Sequence, residues 1–313
     1  MSDELTPEPD ASDEVAASSA AEPQEEVGAT RKQIRREQRQ VLLRTPGFII
    51  GSFILLFWIL AALVPSLITS VDPIISVRGS DGNVIAREPP GGEAWFGTDN
   101  IGRDVFARVI HGARPILTVA PIATAIAMVT GTLVGLTMGY FLGWVDEVLS
   151  RIVESILSIP VILMAILVVF TFGQTTPVII GTIALLFTAP VARTVRAATI
   201  AEAQLDYVTS AKMRGERSLF IIAREILPNV TGVIVVEITV RLGYAVFTLA
   251  TLSFLGVSAR DPQDPDWGVD VGLNWQRIVG DVWWPTIFPA LAIASLVIAV
   301  NLVADSIDKA LSS

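Results

Sequence analysis

No cysteine occurs among the 313 residues, which excludes disulfides and thiolate metal sites. Histidine occurs once, at His111, so a His-dependent hydrolase, a His-ligated haem and a multi-histidine metal centre are all unsupported, and no metal site is expected. No Gly-Lys dipeptide is present, and with it goes the phosphate-cradling pattern of GxxxxGK followed by Ser or Thr. The chain has no Walker-type ATPase of its own. Charge is scarce as well: 17% of residues are charged against about 25% in soluble domains. With 52% hydrophobic residues and a mean hydropathy of +0.60, the composition is that of a polytopic α-helical membrane protein. No nucleic-acid partner is expected; the lipid bilayer is.

The net charge of -9 misleads, because residues 1–30 hold nine acids and no base, and the remaining 22 acids balance the 22 bases. That acidic head cannot bury enough apolar surface to offset its chain entropy. Residues 1–40 therefore read as a disordered tail ending in a basic segment. It is not a cleavable signal peptide, since the first apolar run begins only near Phe48.

Six runs are long and apolar enough to span a bilayer: Phe48 to Ile68, Ile116 to Gly143, Ile152 to Phe172, Pro177 to Val195, Thr231 to Gly256 and Thr286 to Val303. The expected fold is all-α. Arg31, Lys32, Arg35, Arg36, Arg39 and Arg44 crowd the side before the first span, which the positive-inside rule assigns to the cytoplasm. An even number of spans then places both termini there. The same count puts the loop carrying Arg193, Arg196, Lys212, Arg214, Arg217 and Arg224 on the cytoplasmic side. Residues 41–115 are read as the first span with an outer loop and interfacial helix, and 116–313 as a five-helix core with a cytoplasmic loop at about 198–230.

That loop reads helix, break, helix. Tyr207 to Arg214 contains good helix formers, Gly215 permits a turn with positive φ, and Leu219 to Leu227 restarts a helix that Pro228 is expected to end. Small residues beside a glycine let a partner's groove approach, although an ordinary basic cytoplasmic loop has the same composition.

In the outer loop, Thr98 and Asp99 are expected to cap a helix whose apolar positions include Val105, Phe106, Val109 and Ile110. Asp104 and Arg108 stand four apart and can pair. Either a substrate role or plain packing is open to this helix. Trp267, Trp275, Trp283 and Trp284 suit an interfacial belt as well as a binding site.

Within the spans, Gly131, Gly135, Gly139 and Gly143 form a small-residue ladder suited to close helix packing. Glu237 and Arg241 can neutralise one another one turn apart, as a functional pair or a structural bridge. No inverted repeat is evident, which counts against a secondary transporter.

Three segments together carry a resemblance. GTDNIGRDVFARVIHGAR at Gly97 to Arg114, the insert from Tyr207 to Pro228, and LSFLGVSARDPQDPDWG at Leu252 to Gly268 resemble the dipeptide, oligopeptide and nickel permease family of ATP-binding-cassette importers. The likeness covers roughly residues 40–310 and is to the shorter-loop member of the paired permeases. Its most specific block is Gly97, Thr98, Asp99, Gly102, Arg103 and Asp104. The resemblance implies the type I importer permease fold of six membrane helices, in the inner membrane of a prokaryote. It also implies that the cytoplasmic insert is a coupling helix docked on an ATPase. Asp206 and Tyr207 match its lead-in, Ala211 and Gly215 its alanine and glycine, and Leu227 with Pro228 its close. Thr209, Ser210 and Glu225 depart from the pattern. On this likeness Ala211 and Gly215 should touch the ATPase sterically, while Lys212 and Arg214 add weaker electrostatics.

The same resemblance implies a non-catalytic translocation subunit without cofactors, ATP and Mg being bound by partners. Those partners are a second homologous permease, two ATPase domains and an extracytoplasmic binding protein. Di- or oligopeptides are the implied cargo. Nickel, glutathione or another small cargo stays open, and so does a membrane scaffold or secondary transporter.

Overall fold

The computed structural model describes residues 42, 44–92 and 94–312, so the tail expected over 1–40 lies outside the described residues. Ten helices organise the rest. They are α1 (Pro46–Leu63), α2 (Val105–His111), α3 (Ala113–Phe141), α4 (Gly143–Leu157) and α5 (Val161–Phe172). Then come α6 (Thr176–Ala203), α7 (Asp206–Met213), α8 (Ser218–Phe254), α9 (Trp267–Asn274) and α10 (Trp284–Ser312). Among the described residues β structure is limited to isolated bridges in the 76–104 loop.

Five units are long and apolar enough to cross a membrane: α1, α2 with α3, α6, α8 and α10. The expected third span is different. Instead of one helix over 152–172, the chain stops at Leu157, turns through Ser158 to Pro160 and restarts as α5, bent by 91° from α4. The cause is Pro160, which has no N–H to give and disfavours helical geometry in the residue before it. At twelve residues, α5 rises only about 18 Å. It crosses a bilayer only together with α4.

The most extensive seam of the bundle is where α3 lies against α6. A Cβ added at Gly131 would stand 2.7 Å from Val191 Cβ, one at Gly135 2.7 Å from the Ala192 carbonyl oxygen, and one at Gly139 2.5 Å from Thr199 Cβ. Only glycine allows backbones that close. Gly143 does not belong to this ladder, contrary to the expected four. Its φ is +57°, the preceding Leu142 has φ +50°, and open space surrounds it, because α3 has already ended and α4 begins there.

Pro228 does not end a helix either. The chain from Ser218 to Phe254 is continuous, with one wide π turn at Ile221–Ile226 just before Leu227 and Pro228. Such a turn shifts the hydrogen-bond register where proline leaves a donor missing. The helix passes the proline instead of breaking.

Candidate functional site

The two ends of the bundle carry the polar machinery, and they are built in opposite ways. One end gathers the 66–104 loop, α2, the 257–266 loop and α9. Its centre is Arg108, fully buried, which donates to Asp270 at 2.6 Å and to the carbonyls of Pro73, Gln263 and Asp264 at 3.2, 2.9 and 3.1 Å. Arg103 pairs with Asp99 at 2.7 Å, and the Asp99 carboxylate also accepts the amides of Ile101 and Arg103. Asp104 caps α2, accepting from the Ala107 amide at 2.7 Å. Hence the expected capping by Thr98 and Asp99 and the expected Asp104–Arg108 pair are both corrected. The cap sits one turn later, which leaves Arg108 for a partner 162 residues away.

Thr98 has other work: its hydroxyl donates to the Ile85 carbonyl at 2.6 Å and accepts the Glu88 amide at 2.9 Å. Beneath it, Gly97 has φ +74°, and an added Cβ would meet the Glu88 carbonyl oxygen at 2.5 Å. Trp284 donates to the Thr98 carbonyl at 2.9 Å and Trp267 to that of Val109 at 2.7 Å, both rings buried, so these two are not belt residues. Trp275 and Trp283 are exposed enough to be. The block from Gly97 to Asp104, Gly102 included at φ +85°, is thus a folded clasp.

Burial pushes the Asp270 carboxyl up to about 6 against the opposing pull of Arg108. Asp266, which caps α9 through the Gly268 and Val269 amides, is raised for the same reason.

The opposite end is a knuckle. α7 turns back through Gly215 at φ +75°, with nothing around that residue that a side chain would strike. Val208 and Ala211 are fully buried in one apolar cluster with Ile221 and Ile226, so the methyl of Ala211 cannot make the direct partner contact expected of it. It seats α7 on the bundle instead. Tyr207 ties three helices together: its hydroxyl donates to Glu202 on α6 at 2.6 Å and accepts from Asn229 on α8 at 3.0 Å. Burial, aided by Glu202, raises its pKa. Lys212 lies 5.1 Å over the Tyr140 ring, and Arg214 pairs with Glu216 at 2.7 Å. Leu227 packs partly buried against the cluster, with Pro228 after it. The outward-facing side chains include Asp206, Thr209, Arg217, Met213 and Leu219, the last two 78% and 77% exposed.

Between the ends, Glu237 and Arg241 meet at 2.7 Å as spacing suggested, with the guanidinium 5.7 Å from the Tyr244 ring. Sequence reasoning missed the two-bond pair of Arg196 on α6 with Asp146 on α4, both at 2.6 Å. It also missed Asp270, Glu202 and Asn229. All but Glu202 lie far along the chain from their partners, and spacing reads only neighbours. Among the described residues no group of His, Asp and Glu is arranged to hold a metal.

Comparison with known proteins agrees with this architecture. Residues 131–313 match the family of binding-protein-dependent transport system inner membrane components. The dipeptide transport system permease protein DppC of Alkalihalophilus pseudofirmus is 32% identical over 281 residues, 88% of each chain. Its Bacillus subtilis counterpart is 33% identical, covering 83% of this chain and 80% of that one. The glutathione transport system permease protein GsiD of Pectobacterium atrosepticum is 37% identical over 72% of this chain and 74% of its own length. In fold, the chain matches an inward-facing structure of the MetNI methionine ABC transporter with TM-score 0.54 and 17% identity, over 66% of this chain and 97% of that one. The chain is a member of the binding-protein-dependent transport system inner membrane component family.

Proposed function

We propose that this chain is one of two unlike permeases of an importer that carries di- or oligopeptides, powered by separate ATPase subunits and fed by an extracytoplasmic binding protein. The knuckle faces the cytoplasm, where both termini lie, and the clasp faces outside. The observation that carries the reading is the contrast between Ala211, buried beneath α7, and Gly215, left open at its tip. An element seated rigidly on one side and unfilled on the other is made to be gripped.

The mechanics follow from the contacts. A partner's closure moves α7, and Tyr207 passes the motion to α6 through Glu202 and to α8 through Asn229. Densely packed helices transmit strain, so the displacement is carried toward the far end. Asp206, Met213, Leu219 and the Gly215 turn make the contact; Lys212 and Arg214, held by Tyr140 and Glu216, tune it by at most about 1 kcal/mol each. Glu237 and Arg241 neutralise each other within α8 and keep that helix free of net charge. ATP and Mg belong to the ATPase subunits, and this chain performs no bond chemistry.

Glutathione is the second cargo, favoured by the 37% identity to the glutathione permease; it too is a short peptide. Copurification of the tagged chain from its own membranes tests the machinery. Wild type should bring down a second permease and P-loop ATPases, and Gly215→Trp should lose the ATPases while keeping the permease. Partners indifferent to Gly215→Trp would sink the coupling assignment.

A further inference from the structure

Where the clasp meets the bundle, a cavity of about 660 Å³ opens between the ends of α3, α6 and α8 and the 258–266 loop. That lies inside the roughly 300–1,000 Å³ of small-molecule sites. Its walls carry two guanidiniums, Arg114 and Arg260, and three carboxylates, Asp261, Asp264 and Asp266.

Most of this charge is already engaged. Asp266 is consumed by capping α9 and by the Ser253 hydroxyl at 3.1 Å, and Arg260 stands 3.6 Å from Asp264. Two groups remain without a side-chain partner among the described residues: Arg114, and Asp261, whose carboxylate accepts only the Gln263 amide. They differ in sign.

The cationic side is reinforced. Thr176, the first residue of α6, lines the same cavity, and Thr175 before it makes no side-chain cap, so the first turn of a 28-residue helix has uncapped amides, Pro177 contributing none. Such a terminus favours a carboxylate. Arg114 and Thr118 also border a second cavity of about 480 Å³, walled by Leu55, Leu117, Leu242 and Val246. Apolar side chains have room beside the charged pole.

We propose that this cavity is a vestibule for a short zwitterionic peptide, its carboxylate on Arg114 and the α6 N-terminus and its ammonium on Asp261. The inference rests on the peptide reading above and adds the place where the chain itself meets cargo. A charged hydrogen bond on each terminus holds a peptide by the two groups every peptide has, whatever its side chains. Selectivity among sequences is then left to the apolar cavity.

The test uses the complete importer in proteoliposomes, with saturating binding protein and alanyl-alanine as the probe. Arg114→Met should lower uptake per ATP hydrolysed about tenfold, while hydrolysis stimulated by the loaded binding protein stays within twofold; Arg114→Lys should restore most of the uptake. A purely structural role for Arg114 would reduce hydrolysis and uptake together and would overturn the proposal, as would Arg114→Met transporting like wild type. Should Arg114→Met fail to assemble, Asp261→Asn on the exposed loop gives the same reading, a severalfold drop supporting the site and none overturning it. If the wild-type importer moves no alanyl-alanine or other short peptide, the peptide reading itself fails, an outcome distinct from a silent Arg114→Met.

Discussion

The clasp and the knuckle occupy opposite ends of one bundle, yet the clasp spends its polar groups on itself and the knuckle leaves its tip unspent. Arg108 and Asp270 are buried and satisfied by side chains and carbonyls from separate stretches of chain. A side chain added at Gly215 would meet open space. On the coupling role proposed above, an element that must stay put is closed from within, whereas one that passes on a partner's motion is fixed at its base and bare at its crest. The division suits a machine driven from one end.

Removing the Arg108 side chain should break this contrast most severely. Arg108→Met leaves Asp270 a buried charge without its partner, which typically costs about 3–5 kcal/mol. The expected result is a large fall in melting temperature of the detergent-purified protein, measured by intrinsic tryptophan fluorescence. A melting temperature within a degree or two of wild type would show that the clasp does not depend on this pair.

The same variant should be partly rescued by acid. Asp270 already has its folded pKa raised to about 6, above the ordinary carboxylate value of 3.8, and Arg108 pulls it down, so losing Arg108 moves it further up. A raised carboxyl binds its proton in the folded state before the unfolded chain does. Its contribution to stability is therefore greatest below the unfolded value and is lost as pH rises through the folded one. Arg108→Met should thus lie closer to wild type at pH 5.5 than at pH 7.5 in the same melting measurement. An equal deficit at both would assign the damage to lost packing.

At the knuckle the expected stability effect is the smallest. Tyr207→Phe removes one hydroxyl that bridges Glu202 and Asn229, about 0.5–1.5 kcal/mol. Transport per ATP should drop severalfold while ATPase association survives, because the helix is still seated by Val208 and Ala211. Unchanged transport would mean that the apolar seat alone carries the motion.

How far the sequence foretold all this depends on the range of the interaction. Of the six long apolar runs, five became unbroken membrane-length helices, since a bilayer selects helices by length and composition, and the sixth is the bent pair α4–α5. The α7 turn was legible because Gly215 acts locally, and so was the Glu237–Arg241 pair at one helical turn. Pro160 carried a readable signal against a continuous third span, whereas Pro228, the same residue type, was absorbed by a π turn that no spacing announces. The partner of Arg108 was illegible, because the eye pairs it with Asp104 four residues back and the fold pairs it with Asp270. Ala211 was expected at a partner's surface and the fold buries it beneath α7, a direction that only packing decides.

The reach of Arg108 has a consequence for how the protein is made. Asp270 leaves the ribosome 162 residues after Arg108, roughly 8–30 s later at ordinary rates of synthesis. Until then the guanidinium lacks its native anion, and the outer loop has only its own local bonds to hold it. Closure of the clasp is thus a late event in biogenesis, and a truncated chain that stops short of α9 presents an unsatisfied cation at the membrane for quality-control proteases to find.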